Sequence, residues 1–142
     1  MKKIICLVAV VLMIASVVYA QKKMSITAKD LPGLQGFWTG NVTFGIQEGA
    51  GSAATLEIFN DKVPVKAKLT ISQFPDTLAS SLGLSPGRNE FESEDGTITT
   101  QGTILFTGPT KSFFEITRAG DKKLRCDYWF KGLRGDGVFT RK

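Results

Sequence analysis

The sequence predicts an all-β domain, a single antiparallel meander of about eight strands that closes into a small up-and-down barrel. Most of the chain after residue 34 alternates between apolar and polar residues, as strands with one buried face do. Short segments rich in Gly, Asn, Asp and Pro separate these alternating stretches at the spacing of hairpin turns. A two-sheet β-sandwich is the alternative, because the number of strands alone does not distinguish it from a barrel.

The first twenty residues have the features of a cleaved secretory signal. Lys2 and Lys3 precede an apolar run over residues 4–18, and the small residue Ala20 comes just before Gln21. The run is shorter than the ~20 residues that a membrane-spanning helix needs. We therefore expect cleavage of residues 1–20, a secreted or periplasmic location, and no transmembrane segment after cleavage.

Residues 21–33 are mostly polar and end in a Leu-Pro-Gly turn, which predicts a flexible N-terminal arm. The β-barrel domain then covers residues 34–142, a length that suits one domain with its own core. Cys126 is the only cysteine in this part of the chain, so packing must stabilise it without an internal disulfide.

The first strand is predicted to begin at Gln35 and the second to cover residues 54–59. An Asn60-Asp61 hairpin turn leads into the clearest alternation of the chain. The residues predicted to face inward there are Val63, Val65, Ala67, Leu69 and Ile71. Residues 74–87 break the alternation, and Asp76 is predicted to start a short helical turn that reaches Leu82.

The second half of the chain is predicted to contain the remaining strands. They cover residues 88–94, 97–107, 111–118, 122–131 and 138–141. Asp95-Gly96 is interpreted as a turn between the first two of these, and Gly102 as a bulge within the second.

The triplet Gly36-Phe37-Trp38 places a glycine two residues before an inward tryptophan. This spacing lets a bulky ring close one end of a barrel. In this triplet the chain resembles the lipocalin-like (calycin) group, whose first strand carries Gly-x-Trp. Cys126-Asp127-Tyr128 is similar to that group's Thr-Asp-Tyr segment, with the first residue changed. The resemblance implies that Arg141 stacks over Trp38, with Arg134 as the alternative. The chain departs from the group in lacking its disulfide and its terminal helix.

A barrel with an apolar lining predicts a secreted or periplasmic lipocalin-like protein that holds a small apolar ligand in its interior. The inward residues expected to contact that ligand are Trp38, Val42, Phe44, Leu69, Ile71 and Tyr128.

The alternative function is a non-enzymatic interaction or structural module of the cell envelope that acts through its outer surface. Alternation places Arg125, Trp129 and Lys131 together on the outward face of one strand, and tryptophan and arginine are enriched at binding hot spots. The C-terminal third is rich in Lys and Arg, which favours anionic lipid or polysaccharide, or a protein, as the partner. The export signal argues against nucleic acid.

The chain contains no histidine, so it offers no imidazole base for a nucleophile and lacks the commonest ligand of zinc and iron. We expect no enzymatic activity, no cofactor and no metal site. An acidic strand face and a basic one are predicted to pair across neighbouring strands instead of holding calcium. These faces consist of Glu90, Glu92 and Glu94, and of Lys62, Lys66 and Lys68.

Overall fold

Eight antiparallel strands form the fold in the computed structural model, which describes residues 24–45, 51–107 and 113–142. The strands are β1 (Gly36–Phe44), β2 (Ser52–Ile58), β3 (Val65–Phe74), β4 (Gly87–Ile98), β5 (Ile104–Thr107), β6 (Phe113–Gly120), β7 (Lys123–Phe130) and β8 (Leu133–Thr140). The predicted signal, residues 1–20, and the first three residues of the predicted arm lie outside the described residues.

Each strand pairs with the next along the chain, and β8 pairs with β1 to close the barrel. The closing register places Gly40 opposite Phe139 and Val42 opposite Gly137. The all-β up-and-down barrel is therefore confirmed, and the two-sheet sandwich is excluded.

Alternation along the strands produces the core, because one face of every strand points into the barrel. In β1 every second residue from Trp38 to Phe44 is at an inward position, and the side chains of Trp38, Val42 and Phe44 are buried there. Aromatic rings contact one another inside: Phe44 and Phe74 at 4.7 Å between centroids, and Phe106 stacked on Phe114 at 4.4 Å. These contacts contribute to stability beyond the apolar area that they bury.

The N-terminal segment packs on the barrel from Met24 onward, so the expectation of a flexible arm is wrong for the described residues 24–33. A 3-10 helix, Ala28–Asp30, continues into α1, Leu31–Leu34. Ile26, Leu31 and Leu34 are buried, and the Ile26 amide donates a hydrogen bond to the Gly102 carbonyl at 2.8 Å. The segment covers one end of the barrel because these apolar side chains complete the core there.

Four predicted features are wrong: a turn, a bulge, an inward side chain and the start of a strand. β4 runs through Asp95-Gly96 without a turn, and Gly102 belongs to the turn before β5 instead of a bulge within one long strand. Val63 is 48% exposed because it lies in the loop before β3 and does not face inward. β8 begins at Leu133, five residues before the predicted start.

Gly96 shows the physical reason for the uninterrupted β4. A Cβ atom at this position would lie 2.5 Å from the Phe106 ring and 2.8 Å from the Val65 carbonyl oxygen. The missing side chain thus makes room for a core ring, and no turn is required.

The segment between β3 and β4 contains α2, Asp76–Leu82, as predicted. Ala79 is buried, and Leu78 and Leu82 pack partly buried against the core. By the direction of β3, α2 lies at the opposite end of the barrel from α1. None of the helices in the described residues has the length and apolar character to cross a membrane.

Candidate functional site

The α1 end of the barrel brings together the three residues predicted to close it, Gly36, Trp38 and Arg141. The Arg141 guanidinium lies over the Trp38 ring at 4.4 Å from its centroid. The same guanidinium donates hydrogen bonds to the carbonyl oxygens of Gly33, at 3.0 Å, of Leu34, at 3.2 Å, and of Gln35. Arg134, the alternative partner, lies instead over Trp129.

Gly36 allows this arrangement in two ways. Its φ of +110° is a conformation that residues with a side chain rarely adopt. A Cβ atom there would also lie 3.3 Å from Nη2 of Arg141. The indole N–H of Trp38 donates to the Leu34 carbonyl at 2.8 Å, which ties the ring to α1.

The six residues predicted to contact an interior ligand all point inward and are at most 1% exposed. They do not surround a single point. Trp38 lies under Arg141 at the α1 end, whereas Phe44 and Tyr128 lie near the other ends of their strands, toward α2. Any interior site that uses the whole set therefore has to extend along the barrel.

Two inward glycines on β8 make room for the rings at the α2 end. A Cβ at Gly135 would lie 3.3 Å from the Phe44 ring and 3.4 Å from the Tyr128 ring. A Cβ at Gly137 would lie 3.0 Å from both Phe139 and Val42. The alternation of β8 identifies these positions as inward, but the strand predicted from the sequence covered only residues 138–141 and did not include them.

The Tyr128 hydroxyl is buried and has no hydrogen-bond partner among the described residues. Burial raises the pKa of this phenol above its ordinary value, so the group is neutral at physiological pH. Its ring lies 5.0 Å from that of Phe91, which in turn lies 5.7 Å from Phe130. The Tyr128 hydroxyl thus lies beside a wall of aromatic rings.

Cys126 is inward on the same strand as Tyr128 and is fully buried. Burial raises the pKa of its thiol well above the ordinary value, so the thiolate that a nucleophile or metal ligand requires is disfavoured.

Helix α2 is tied to the strands at this end of the barrel. The Lys131 ammonium donates to the Leu82 carbonyl at 2.9 Å, and Lys131 has a φ of +45° in the β7–β8 turn. Leu78, Leu82 and Leu84 remain partly exposed above the core. This end is therefore closed by a short helix with few deep contacts.

The three residues of the predicted partner surface, Arg125, Trp129 and Lys131, contact different neighbours. Arg125 pairs with Asp127 and Asp136, each at 3.3 Å. Trp129 is half-buried on the outer face, with the Arg134 guanidinium 5.5 Å from its ring centroid. Lys131 is directed to α2, so the structure does not gather the three into one patch.

The predicted pairing of acidic and basic strand faces is present in part. Lys66 and Glu94 form an ion pair at 3.3 Å, and Lys68 is opposite Glu92 in the register of β3 and β4. Lys62 lies in the β2–β3 loop, outside the sheet.

A cleft of about 480 Å³ lies on the outer face of β1–β4, and the sequence analysis did not predict it. Its walls are Phe37, Thr55, Glu57, Lys68, Thr70, Ser72 and Arg88. Phe37 is 64% exposed, the most exposed large apolar side chain of the described residues. The sequence signal for the cleft was an aromatic residue, Phe37, at a position on the polar face of β1. The cleft itself depends on the pairing of four strands.

Comparison with solved structures identifies a similar protein described as a redesigned β-barrel. The two share a TM-score of 0.56 and 16% sequence identity, over 83% of this chain and 99% of the other. This likeness supports the β-barrel fold alone. No family model and no curated protein matches the sequence.

Proposed function

We propose that this chain is a secreted, non-catalytic binding protein that holds a small, largely apolar molecule at the α2 end of the barrel. The observation that carries the proposal is the buried Tyr128 hydroxyl, which has no hydrogen-bond partner within the described part of the chain. An unpaired buried polar group costs roughly 1–3 kcal/mol. A ligand that hydrogen-bonds to this oxygen would offset that cost.

The surroundings of Tyr128 support a ligand with one polar group on an apolar body. The neighbouring rings are Phe91 and, beyond it, Phe130. The neutral phenol is a hydrogen-bond donor to a carbonyl or carboxylate oxygen. Ligand sites of this kind are mostly apolar, with a few polar groups that orient the ligand.

Access to the interior would be through α2. The helix rests on the core through Ala79 and partly exposed leucines, and Lys131 holds its last turn through the Leu82 carbonyl. Movement of this short element exposes less apolar surface than opening the strands would. The opposite end is closed by Trp38 and Arg141.

The same closed end supports the finer resemblance to the lipocalin-like group, which we propose on the arrangement of Gly36, Trp38 and Arg141. Export is proposed on the leader pattern of residues 1–20. The mass of the protein recovered from outside the cytoplasm tests it, since cleavage leaves Gln21 as the first residue. Recovery of the uncleaved chain would contradict export with cleavage.

Native mass spectrometry on protein purified from its host tests the interior ligand. We expect an added mass of a small molecule on the wild-type protein, released on denaturation, and a lower occupancy for Tyr128→Phe. Ile58→Val is the control: it changes a buried residue opposite Gly36, at the α1 end of the barrel, without loss of a polar group, and should retain the added mass. An unliganded wild-type protein would contradict the proposal.

The alternative of an envelope module that acts through Trp129 remains a prediction. Arg125, Trp129 and Lys131 contact different neighbours, so the single surface patch on which this alternative was based is missing among the described residues.

A further inference from the structure

We propose that the cleft on the outer face of β1–β4, termed the outer cleft, binds an uncharged oligosaccharide. The outer cleft lies on the opposite side of the sheet from the core, so this site is separate from the proposed interior ligand. Its volume of about 480 Å³ is in the range of small-molecule sites.

The register of the strands arranges the outer cleft in rows. Phe37 is opposite Glu57, and Glu57 is opposite Lys68. Thr55 is opposite Thr70 in the next outward row. Along β3 the cleft extends from Lys68 to Ser72, roughly 13 Å at the rise of a strand. That length suits several linked sugar rings better than one.

The side chains of the outer cleft match the two kinds of surface that a sugar presents. The exposed Phe37 ring offers an apolar platform for the C–H face of a sugar ring, and covering it removes apolar area from water. The hydroxyls of Thr55, Thr70 and Ser72 can each donate and accept hydrogen bonds. Sugar hydroxyl groups have the same dual capacity.

The charged groups of the outer cleft favour an uncharged ligand over an anionic one. Lys68 is flanked in register by Glu57 on β2 and Glu92 on β4. Arg88 is paired with Glu90 at 2.6 Å. A sulfate or phosphate group would therefore meet carboxylates beside each cation. Self-association through this face would bury these same charges and hydroxyls, each at a cost unless it found a partner.

The test is a titration of the isotopically labelled chain after removal of residues 1–20, followed by NMR through its backbone amide resonances. The uncharged probes are tetrasaccharides of glucose, in α-1,4 and β-1,4 linkage, and of β-1,4-linked N-acetylglucosamine; a sulfated heparin tetrasaccharide is the anionic probe. We expect at least one uncharged probe at millimolar concentration to shift amides of β2 and β3 around Thr55 and Thr70. The proposal would be overturned if no uncharged probe shifted these amides, or if the sulfated probe bound more strongly. Shifts that depended on protein concentration alone would indicate self-association and would also overturn it.

Three variants separate binding in the outer cleft from general surface effects. Phe37→Ala should weaken binding by about thirtyfold, the lower end of a hot-spot loss. Phe37→Trp should retain it. Val138→Ala removes another exposed apolar side chain of the outer face, 42% exposed on β8, and should leave affinity unchanged. Equal affinities of Phe37→Ala and Val138→Ala would refute the site. Equal melting temperatures confirm that all three variants are folded.

Discussion

Arg141→Ala should lower the free energy of unfolding by about 3 kcal/mol. The side chain connects the end of β8 to the backbone of the α1 segment through three carbonyl oxygens, and its guanidinium covers the Trp38 ring at 4.4 Å. A cation–π contact in a partly desolvated site contributes ~1 kcal/mol. Hydrogen bonds from a charged donor contribute ~1.5–3 kcal/mol each when buried. Because Arg141 is partly exposed and neighbouring contributions are not additive, the three hydrogen bonds together contribute ~2 kcal/mol.

Arg141→Lys separates the charge from its geometry. A lysine keeps a positive charge near the ring, but one ammonium cannot reproduce the planar fork that reaches three carbonyl groups. We expect a loss of roughly half that of Arg141→Ala.

Arg134→Ala is the matched control. Arg134 also lies over a tryptophan, with its guanidinium 5.5 Å from the Trp129 ring, but its side chain is 64% exposed. Its removal should cost less than ~1 kcal/mol.

Urea unfolding followed by far-UV circular dichroism measures all three losses, and an unchanged denaturant dependence shows that the same transition is compared. A loss for Arg141→Ala no greater than that for Arg134→Ala would refute the role of Arg141 in closing the barrel.

Three further predictions concern other parts of the molecule. Tyr128→Phe, in unliganded recombinant protein, should raise the unfolding free energy in urea by ~1 kcal/mol because it removes a buried hydroxyl that has no hydrogen-bond partner among the described residues; a loss would mean that the hydroxyl has a partner. Trp129→Ala should lower the free energy of unfolding less than Trp38→Ala, which should lower it by ~3–5 kcal/mol. Under the surface hypothesis Trp129→Ala should also decrease pull-down of envelope components, and an unchanged yield would reject that hypothesis. Hydrogen bonds from the Thr27 side chain and amide lower the pKa of Asp30, so this carboxylate stabilises the fold above its unfolded pKa of about 3.9 and loses that effect as pH falls. Asp30→Asn should reduce the loss of unfolding free energy as the pH falls through the acidic range. An unchanged pH dependence would contradict the lowered pKa of Asp30.

The barrel was predictable because its evidence is local. A period of two is visible within each strand, as in β7, where Leu124, Cys126 and Tyr128 are inward and the residues between them are outward. Turn residues supplied the approximate number of strands. Closure of the sheet followed from the need to pair the edges of a meander.

The errors arise where a local signal competes with a distant contact. Asp95-Gly96 has the composition of a turn, yet Gly96 lies within β4 because the Phe106 ring occupies the space of its side chain. Ile26 and Leu31 are isolated apolar residues in a polar segment, without any periodicity. Their burial depends on the open end of a barrel that forms from residues far along the chain.

The candidate sites also differ in how far they could be predicted from the sequence. Gly36, Trp38 and Arg141 were expected together through the resemblance to the lipocalin-like group, and the structure places them in contact. The outer cleft has no sequence motif, since Phe37 and Arg88 line the same cleft only through the pairing of four strands. The Tyr128 hydroxyl lacks a hydrogen-bond partner in the described part of the chain, which is likewise a property of the packed interior.

A crystal structure of the protein purified from its host is the most direct test of the proposed interior site. The account predicts non-protein electron density larger than a water molecule within hydrogen-bonding distance of Tyr128 Oη, continuing along Phe91 toward α2. An interior that is filled by side chains, with the hydroxyl bonded to a water molecule or to the protein itself, would contradict it.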